Sequence, residues 1–294
     1  EASKATGLPV TIEVANGKHV YEALKHGIDI LWIGARTTVN PFAVQEIADA
    51  LEGVDVPVMV KNPINPDLEL WIGAFERLNR AGVTKIAAIH RGFSSYEKTE
   101  FRNKPYWEIP IELRRRFPDL PIICDPSHIC GNRTLLQSVS QKAIDLDFDG
   151  LMIESHREPS KAWSDAAQQV TPDKLVELLG SLILRKESTD NADFNSHLED
   201  LRAKIDRVDN ELLETLRHRM DLAEEIGKYK KSNKVTILQP GRWDEIVNNR
   251  LIAGRKKGLT DEFITELFQV IHEESIRKQT EIMNIDSPKL DIQD

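Results

Sequence analysis

At 294 residues, with 40% hydrophobic and 30% charged residues, the chain has the composition of a globular protein, enough for one large domain or two ordinary ones. A formal net charge of −9 argues against a nucleic-acid binder, which needs a broad basic face, but leaves room for small anions held by a few local cations. No apolar run reaches the ~18 residues of a membrane span, nothing reads as a signal peptide, and the two cysteines, Cys124 and Cys130, make no disulfide framework, so the expected setting is a reducing cytoplasm away from membranes.

Over residues 1–184 short β-branched segments alternate with amphipathic ones. Strands are expected at 9–14, 28–33, 57–61, 84–89, 120–124 and 150–154, with helices at 41–51, 67–81 and 132–145 among them. The strand segments are apolar on both faces, as in a buried parallel sheet. This βαβα rhythm means an α/β fold with right-handed crossovers. A closed (β/α)8 TIM-type barrel needs about eight strands, so the expectation is such a barrel lacking its first two β/α units in this sequence.

Residues 185–196 are polar and read as a linker. Beyond them the period is helical throughout. Leu198, Leu201, Ile205, Val208, Leu212 and Leu216 recur at spacings of three and four, and Met220, Ala223 and Ile226 extend the stripe. Pro240-Gly241 punctuates it, a second helix runs from about Arg242 to Ala253, and Asp261 opens a third through Ile282. The map is a barrel at 1–184, a linker at 185–196, a three-helix all-α domain at 197–286 and a tail at 287–294. A helical dimerisation module is the plain reading of that second half.

Ionisable residues collect where the strands end, the edge at which α/β folds place their chemistry. His128 follows the fifth strand, Glu154 closes the sixth and Asp165 lies 11 residues further on. One imidazole and two carboxylates make a metal set, although any one of them alone reads as ordinary surface polarity. Arg36, Lys61 and Arg91 follow earlier strands and suit phosphate and carboxylate groups.

The ordered run Ile33-Gly34-Ala35-Arg36, Lys61-Asn62, Arg91-Gly92, Asp125-Pro126-Ser127-His128, Glu154-Ser155-His156 and Ser164-Asp165 resembles 3-deoxy-D-arabino-heptulosonate 7-phosphate (DAHP) synthase over nearly all of 1–184. The resemblance implies that His128, Glu154 and Asp165 bind a divalent metal (Mn, Co, Zn or Fe), while Arg36, Lys61 and Arg91 hold phosphoenolpyruvate. Carbon 3 of phosphoenolpyruvate then attacks the aldehyde of erythrose 4-phosphate, water adds at carbon 2 and phosphate departs. Lys61 is expected to donate a proton or stabilise charge, and His156 to handle protons beside the metal ligands. The sequence contains neither the family's Gly-Pro-Cys-Ser segment, which supplies a thiolate ligand, nor its Lys-Pro-Arg-Thr segment for the tetrose. Cys124, inside a strand, reads as a small core residue.

In the helical half Arg202, Arg219 and Lys230 stand 17 and 11 residues apart, and Ser275 and Gln279 one turn apart. These residues and their neighbours are similar to the all-helical chorismate mutases over roughly 197–285. By that resemblance Lys230 and Gln279 face the breaking ether oxygen, Arg202 and Arg219 clamp the two carboxylates, and Arg242 and Ser275 add contacts. Arg202 would serve the site of a second copy, so a homodimer is implied. Trp243 and Gln239 stand where the family carries carboxylates. The leading expectation is a bifunctional shikimate-pathway enzyme that makes DAHP and rearranges chorismate to prephenate. The alternatives are a helical half that only regulates and dimerises by sensing prephenate or chorismate, and a barrel acting as a related 3-deoxy-octulosonate 8-phosphate synthase.

Overall fold

The computed structural model describes residues 2–96, 98–186, 188–238 and 240–284, with backbone alone for 2 and 240–245. The chain divides into two compact units, Glu1–Ser188 and Thr189–Asp294. In the first, a short helix α1 (Ala2–Thr6) precedes β1 (Thr11–Val14), α2 (Gly17–Lys25), β2 (Ile30–Ile33), α3 (Ala35–Thr38), α4 (Pro41–Ala50) and β3 (Val58–Lys61). The series continues through α5 (Leu68–Arg80), β4 (Ile86–His90), α6 (Glu108–Arg116), β5 (Ile122–Cys124), α7 (Pro126–Cys130), α8 (Leu136–Asp145), β6 (Gly150–Leu151) and α9 (Pro172–Ser181). The six strands pair in chain order, all parallel.

All six expected strands form. The sixth stops at Leu151 instead of Glu154 because its sheet neighbour, β5, gives way to α7 after Asp125. Helix starts follow their caps: Asn40 Oδ1 accepts from the Phe42 and Ala43 amides, and Asp67 Oδ1 from Leu70. The helix expected from 132 begins only at Leu136, since Asn132 spends its side-chain oxygen on a turn with Thr134.

Burial alternates along β2, β5 and the first three residues of β3. Leu31, Ile33, Val58, Val60 and Ile122 are buried, whereas Ile30, Trp32, Met59 and Ile123 are half-buried. The buried row packs with Val44, Ile47, Leu78 and Val139 of the surrounding helices. Trp71, fully buried on α5, also donates its indole N–H to the Val60 carbonyl at 3.1 Å and so pins α5 to β3. The expectation of strands buried on both faces therefore needs correction for β2, β5 and most of β3, where helices cover one row and the alternate row stays partly open, whereas Ala88, Ile89 and His90 at the end of β4 are buried on both faces. The sheet has two edges, and three of the four residues of edge strand β1 are exposed.

The second unit holds α10 (Ala192–Asn233), α11 (Pro240–Lys256) and α12 (Asp261–Asn284). Asn191 caps α10 through the Phe194 amide, so the helix takes in the end of the stretch read as a linker. At 42 residues α10 is ~60 Å long, far longer than a three-helix core needs. Its buried residues are Ala223 and Gly227, both in the C-terminal half. Gly227 permits a close approach, because a Cβ there would come within 3.2 Å of Gln279 Cα on α12. The N-terminal half leaves Leu201, Ile205, Val208 and Leu212 at 43%, 59%, 60% and 50% exposure. Among the described residues no helix is long and apolar enough to cross a membrane.

Candidate active sites

Asp125 organises the first site. As the N-cap of α7 its Oδ1 accepts from the His128 amide at 3.0 Å, which orients the one-turn Pro-Ser-His segment. Its Oδ2 lies 2.7 Å from Lys61 Nζ and 2.8 Å from His128 Nδ1. Burial would raise this carboxyl, but the His128 contact and the Lys61 charge outweigh it and hold the pKa at about 2. With Nδ1 turned to Asp125, His128 offers Nε2, which stands 3.7 Å from Glu154 Oε1. Ser127 Oγ accepts from the Glu154 amide at 3.0 Å and ties the segment after β6 to α7. Donor atoms of His128, Glu154 and Asp165 all lie within 4.8 Å of one another.

Two residues that the sequence reading passed over hold the acids in place. Gln168, 1% exposed, donates to Glu154 Oε2 at 2.8 Å. Arg102 Nη1 donates to Gln168 Oε1 at 3.0 Å and to Asp165 Oδ1 at 2.6 Å. The Arg102 hydrogen bond is the main reason the Asp165 carboxyl sits below its ordinary pKa. Gly131 makes room for this arginine: it is left-handed (φ 66°), and a Cβ there would meet Arg102 Cβ at 2.5 Å.

The cationic side is built on β3 and β4. Lys61 is 4% exposed, with its ammonium 4.4 Å from the centroid of the Trp32 ring. Asn62 Oδ1 accepts from the Arg91 amide at 2.7 Å, and Arg91 Nη1 donates to Asn103 Oδ1 at 2.7 Å. Arg91 Nε is buried without a partner among the described residues. Burial lowers the Arg91 pKa, and the nearby charges of Arg102 and Arg36 press the same way. Arg36 itself is exposed on α3, close enough for its charge to reach both Arg91 and Asp165. His156 is turned to local use, with Nδ1 accepting from the Glu158 amide at 2.9 Å. Cys124 and Cys130 are buried free thiols, the latter pushed up to about 12 by burial, so neither resembles a thiolate ligand.

In the second unit α10, α11 and α12 surround a cavity of about 460 Å³. Its lining includes Arg219, Lys230, Arg250, His272, Ser275 and Gln279 and, among the described residues, no carboxylate. Arg219 Nη1 donates to Ser275 Oγ at 2.5 Å and to the Ile271 carbonyl at 3.4 Å. Lys230 Nζ donates to the Ile237 carbonyl at 2.6 Å, which directs the ammonium along the cavity wall. Gln279 Nε2 donates to the Ser275 carbonyl at 3.2 Å, while its buried Oε1 has no partner among the described residues. Burial, then the charges of Arg219 and Lys230, push the His272 pKa down. Thus Arg219, Lys230, Ser275 and Gln279 converge. Arg202 does not line this cavity and pairs with Glu199 at 2.6 Å on the exposed half of α10. The Arg242 and Trp243 side chains and all of Gln239 lie outside the described residues.

Residues 1–190 match the DAHP synthetase I family, and residues 201–280 match chorismate mutase type II. The chain belongs to the DAHP synthetase I family. Its helical unit belongs to the type II chorismate mutases. A phospho-2-dehydro-3-deoxyheptonate aldolase from Thermotoga maritima is 32% identical over 61% of this chain and 51% of its own length. The chain thus spans about half of that curated relative. A 4-amino-4-deoxychorismate mutase from Streptomyces venezuelae is 34% identical over 31% of this chain and 89% of its own length. Among solved structures, a truncated DAHP synthase from Thermotoga maritima superposes with a TM-score of 0.55 at 29% identity, covering 61% of this chain and 66% of that one. Domains of both families of the shikimate pathway are therefore joined in one chain.

Proposed function

We propose that the first unit condenses phosphoenolpyruvate with erythrose 4-phosphate and that the second rearranges chorismate to prephenate. The first half rests on the convergence of His128, Glu154 and Asp165 within 4.8 Å. Their donor chemistry fits a divalent cation such as Mn, Co, Zn or Fe. Asp125 backs the imidazole, as carboxylates do behind metal-binding histidines, and one oxygen each of Glu154 and Asp165 remains beyond the contacts with Gln168 and Arg102. Such a cation supplies Lewis-acid polarisation of the aldehyde oxygen. Arg36 and Arg91 hold the phosphate and carboxylate of phosphoenolpyruvate, and Asn62 and Asn103 orient Arg91. Lys61, charged against Asp125, is the group placed to hold and deliver a proton. His156, whose Nδ1 is taken by the Glu158 amide, handles protons through Nε2. The test is calorimetric titration with Mn2+ of the full chain and of His128→Ala. Heat in the parent and none in the variant supports the reading, and equal heats refute it.

The second half rests on the convergence of Arg219, Lys230, Ser275 and Gln279 on one cavity that no carboxylate lines among the described residues. A pericyclic rearrangement needs a compact dianion held in place and charge stabilised on the breaking ether oxygen. Arg219 binds a carboxylate, and Lys230 and Gln279 attend the ether oxygen. Arg202 reaches the cavity of a second copy, and the exposed stripe Leu201, Ile205, Val208 and Leu212 is what that copy covers. The buried free thiols suit a reducing cytoplasm. Chorismate loss followed by ultraviolet absorbance should vanish in Lys230→Ala while helicity stays unchanged. Undiminished turnover in that variant would remove the assignment.

A further inference from the structure

The helical cavity carries a cation that no motif announced. Arg250, on α11, lines it together with Arg219 and Lys230. Arg219 spends Nη1 on Ser275 and Ile271, and Lys230 spends a proton on the Ile237 carbonyl. Arg250 has no carboxylate or hydrogen-bond partner among the described residues; its guanidinium carbon stands 5.7 Å from the centroid of the Phe268 ring. An arginine laid on an aromatic face keeps its in-plane N–H groups for an anion. Burial disfavours the Arg219 charge, and the Arg250 charge adds to that penalty. Three cations therefore face one space that no carboxylate lines among the described residues. A dianionic ligand relieves that repulsion. Arg219 has only part of its donor set left for it, so a second guanidinium from the same chain has a carboxylate to take.

We infer that Arg250 is a substrate-binding residue that grips a carboxylate of a small dicarboxylic ligand in the helical cavity; the inference rests on the mutase reading of that cavity. Arg250 is an exposed residue of the lining, and the ether oxygen is attended by Lys230 and Gln279. It therefore binds ground state and transition state alike, which moves KM and leaves kcat in place.

The test is steady-state chorismate turnover by the full chain carrying Arg250→Met, which keeps the stem on Phe268, or Arg250→Lys, which keeps the charge. Thermal melting of each variant shows that α11 stays folded. Arg250→Met is expected to raise KM at least fivefold, with kcat within threefold of the parent and a flatter dependence of KM on ionic strength. Arg250→Lys should recover at least half of that loss on a logarithmic scale. A smaller rise in KM for a folded Arg250→Met, or no recovery by lysine, overturns the assignment while the mutase reading stands. No turnover by the parent chain itself overturns both.

Discussion

His90, at the end of β4, is fully buried among Phe93, Trp107 and Phe148, with ring centroids at 5.7, 5.3 and 6.0 Å. Neither ring nitrogen has a well-formed hydrogen bond among the described residues; the Pro105 carbonyl gives only weak opposing support. Burial, aided by the Arg91 charge, lowers its pKa to about 3. The unfolded chain takes up this proton near pH 6.5 and the folded chain does not. The contribution to stability is therefore fully present above about pH 6.5 and lost at about 1.4 kcal/mol per pH unit below it, until His90 protonates near pH 3. Between pH 7 and pH 5 that amounts to about 2 kcal/mol. Replacing His90 by Leu keeps the cage apolar and removes the proton. Urea unfolding of the parent and of His90→Leu, followed by tryptophan fluorescence at pH 7 and pH 5, isolates the effect. Trp107, packed on the imidazole, reports the transition of this unit. The parent should lose about 2 kcal/mol more than the variant on acidification. Equal losses in the two proteins would refute the reasoning, because they would mean that the folded imidazole accepts a proton as freely as the unfolded one.

Lys61→Met leaves Asp125 buried without its ammonium partner, which costs on the order of 3 kcal/mol; urea unfolding at pH 7 measures it. The same variant should lose phosphoenolpyruvate binding by calorimetry. Inactive Arg202→Ala and Arg219→Ala proteins, unfolded together and refolded as a mixture, should recover about a quarter of parental mutase activity. Half the pairs are then mixed, and each mixed pair carries one intact site. No recovery would place Arg202 outside the shared site.

The six strands, the helical trio and the residues that converge in each candidate site were legible in the sequence, because local patterns and ordered motifs carry them. Apolar segments bounded by turn residues marked β1 to β6, and a three-four spacing marked α10. Ionisable residues at and beyond strand ends pointed to His128, Glu154 and Asp165, and the resemblance to chorismate mutases pointed to Ser275 and Gln279. What the tertiary structure alone decided depends on contacts between distant parts of the chain. Lys61 meets Asp125 across 64 residues, and Arg102 reaches Asp165 and Gln168 across 63 and 66. An arginine in the polar loop after β4 carries no periodic signal of its destination. Arg250 likewise reads as one more charge on an amphipathic helix until α12 brings Phe268 beneath it. Local patterns are set by the backbone's own repeat. Which charges share a low-dielectric space is set by how the elements close on one another, and no spacing along the chain encodes that directly.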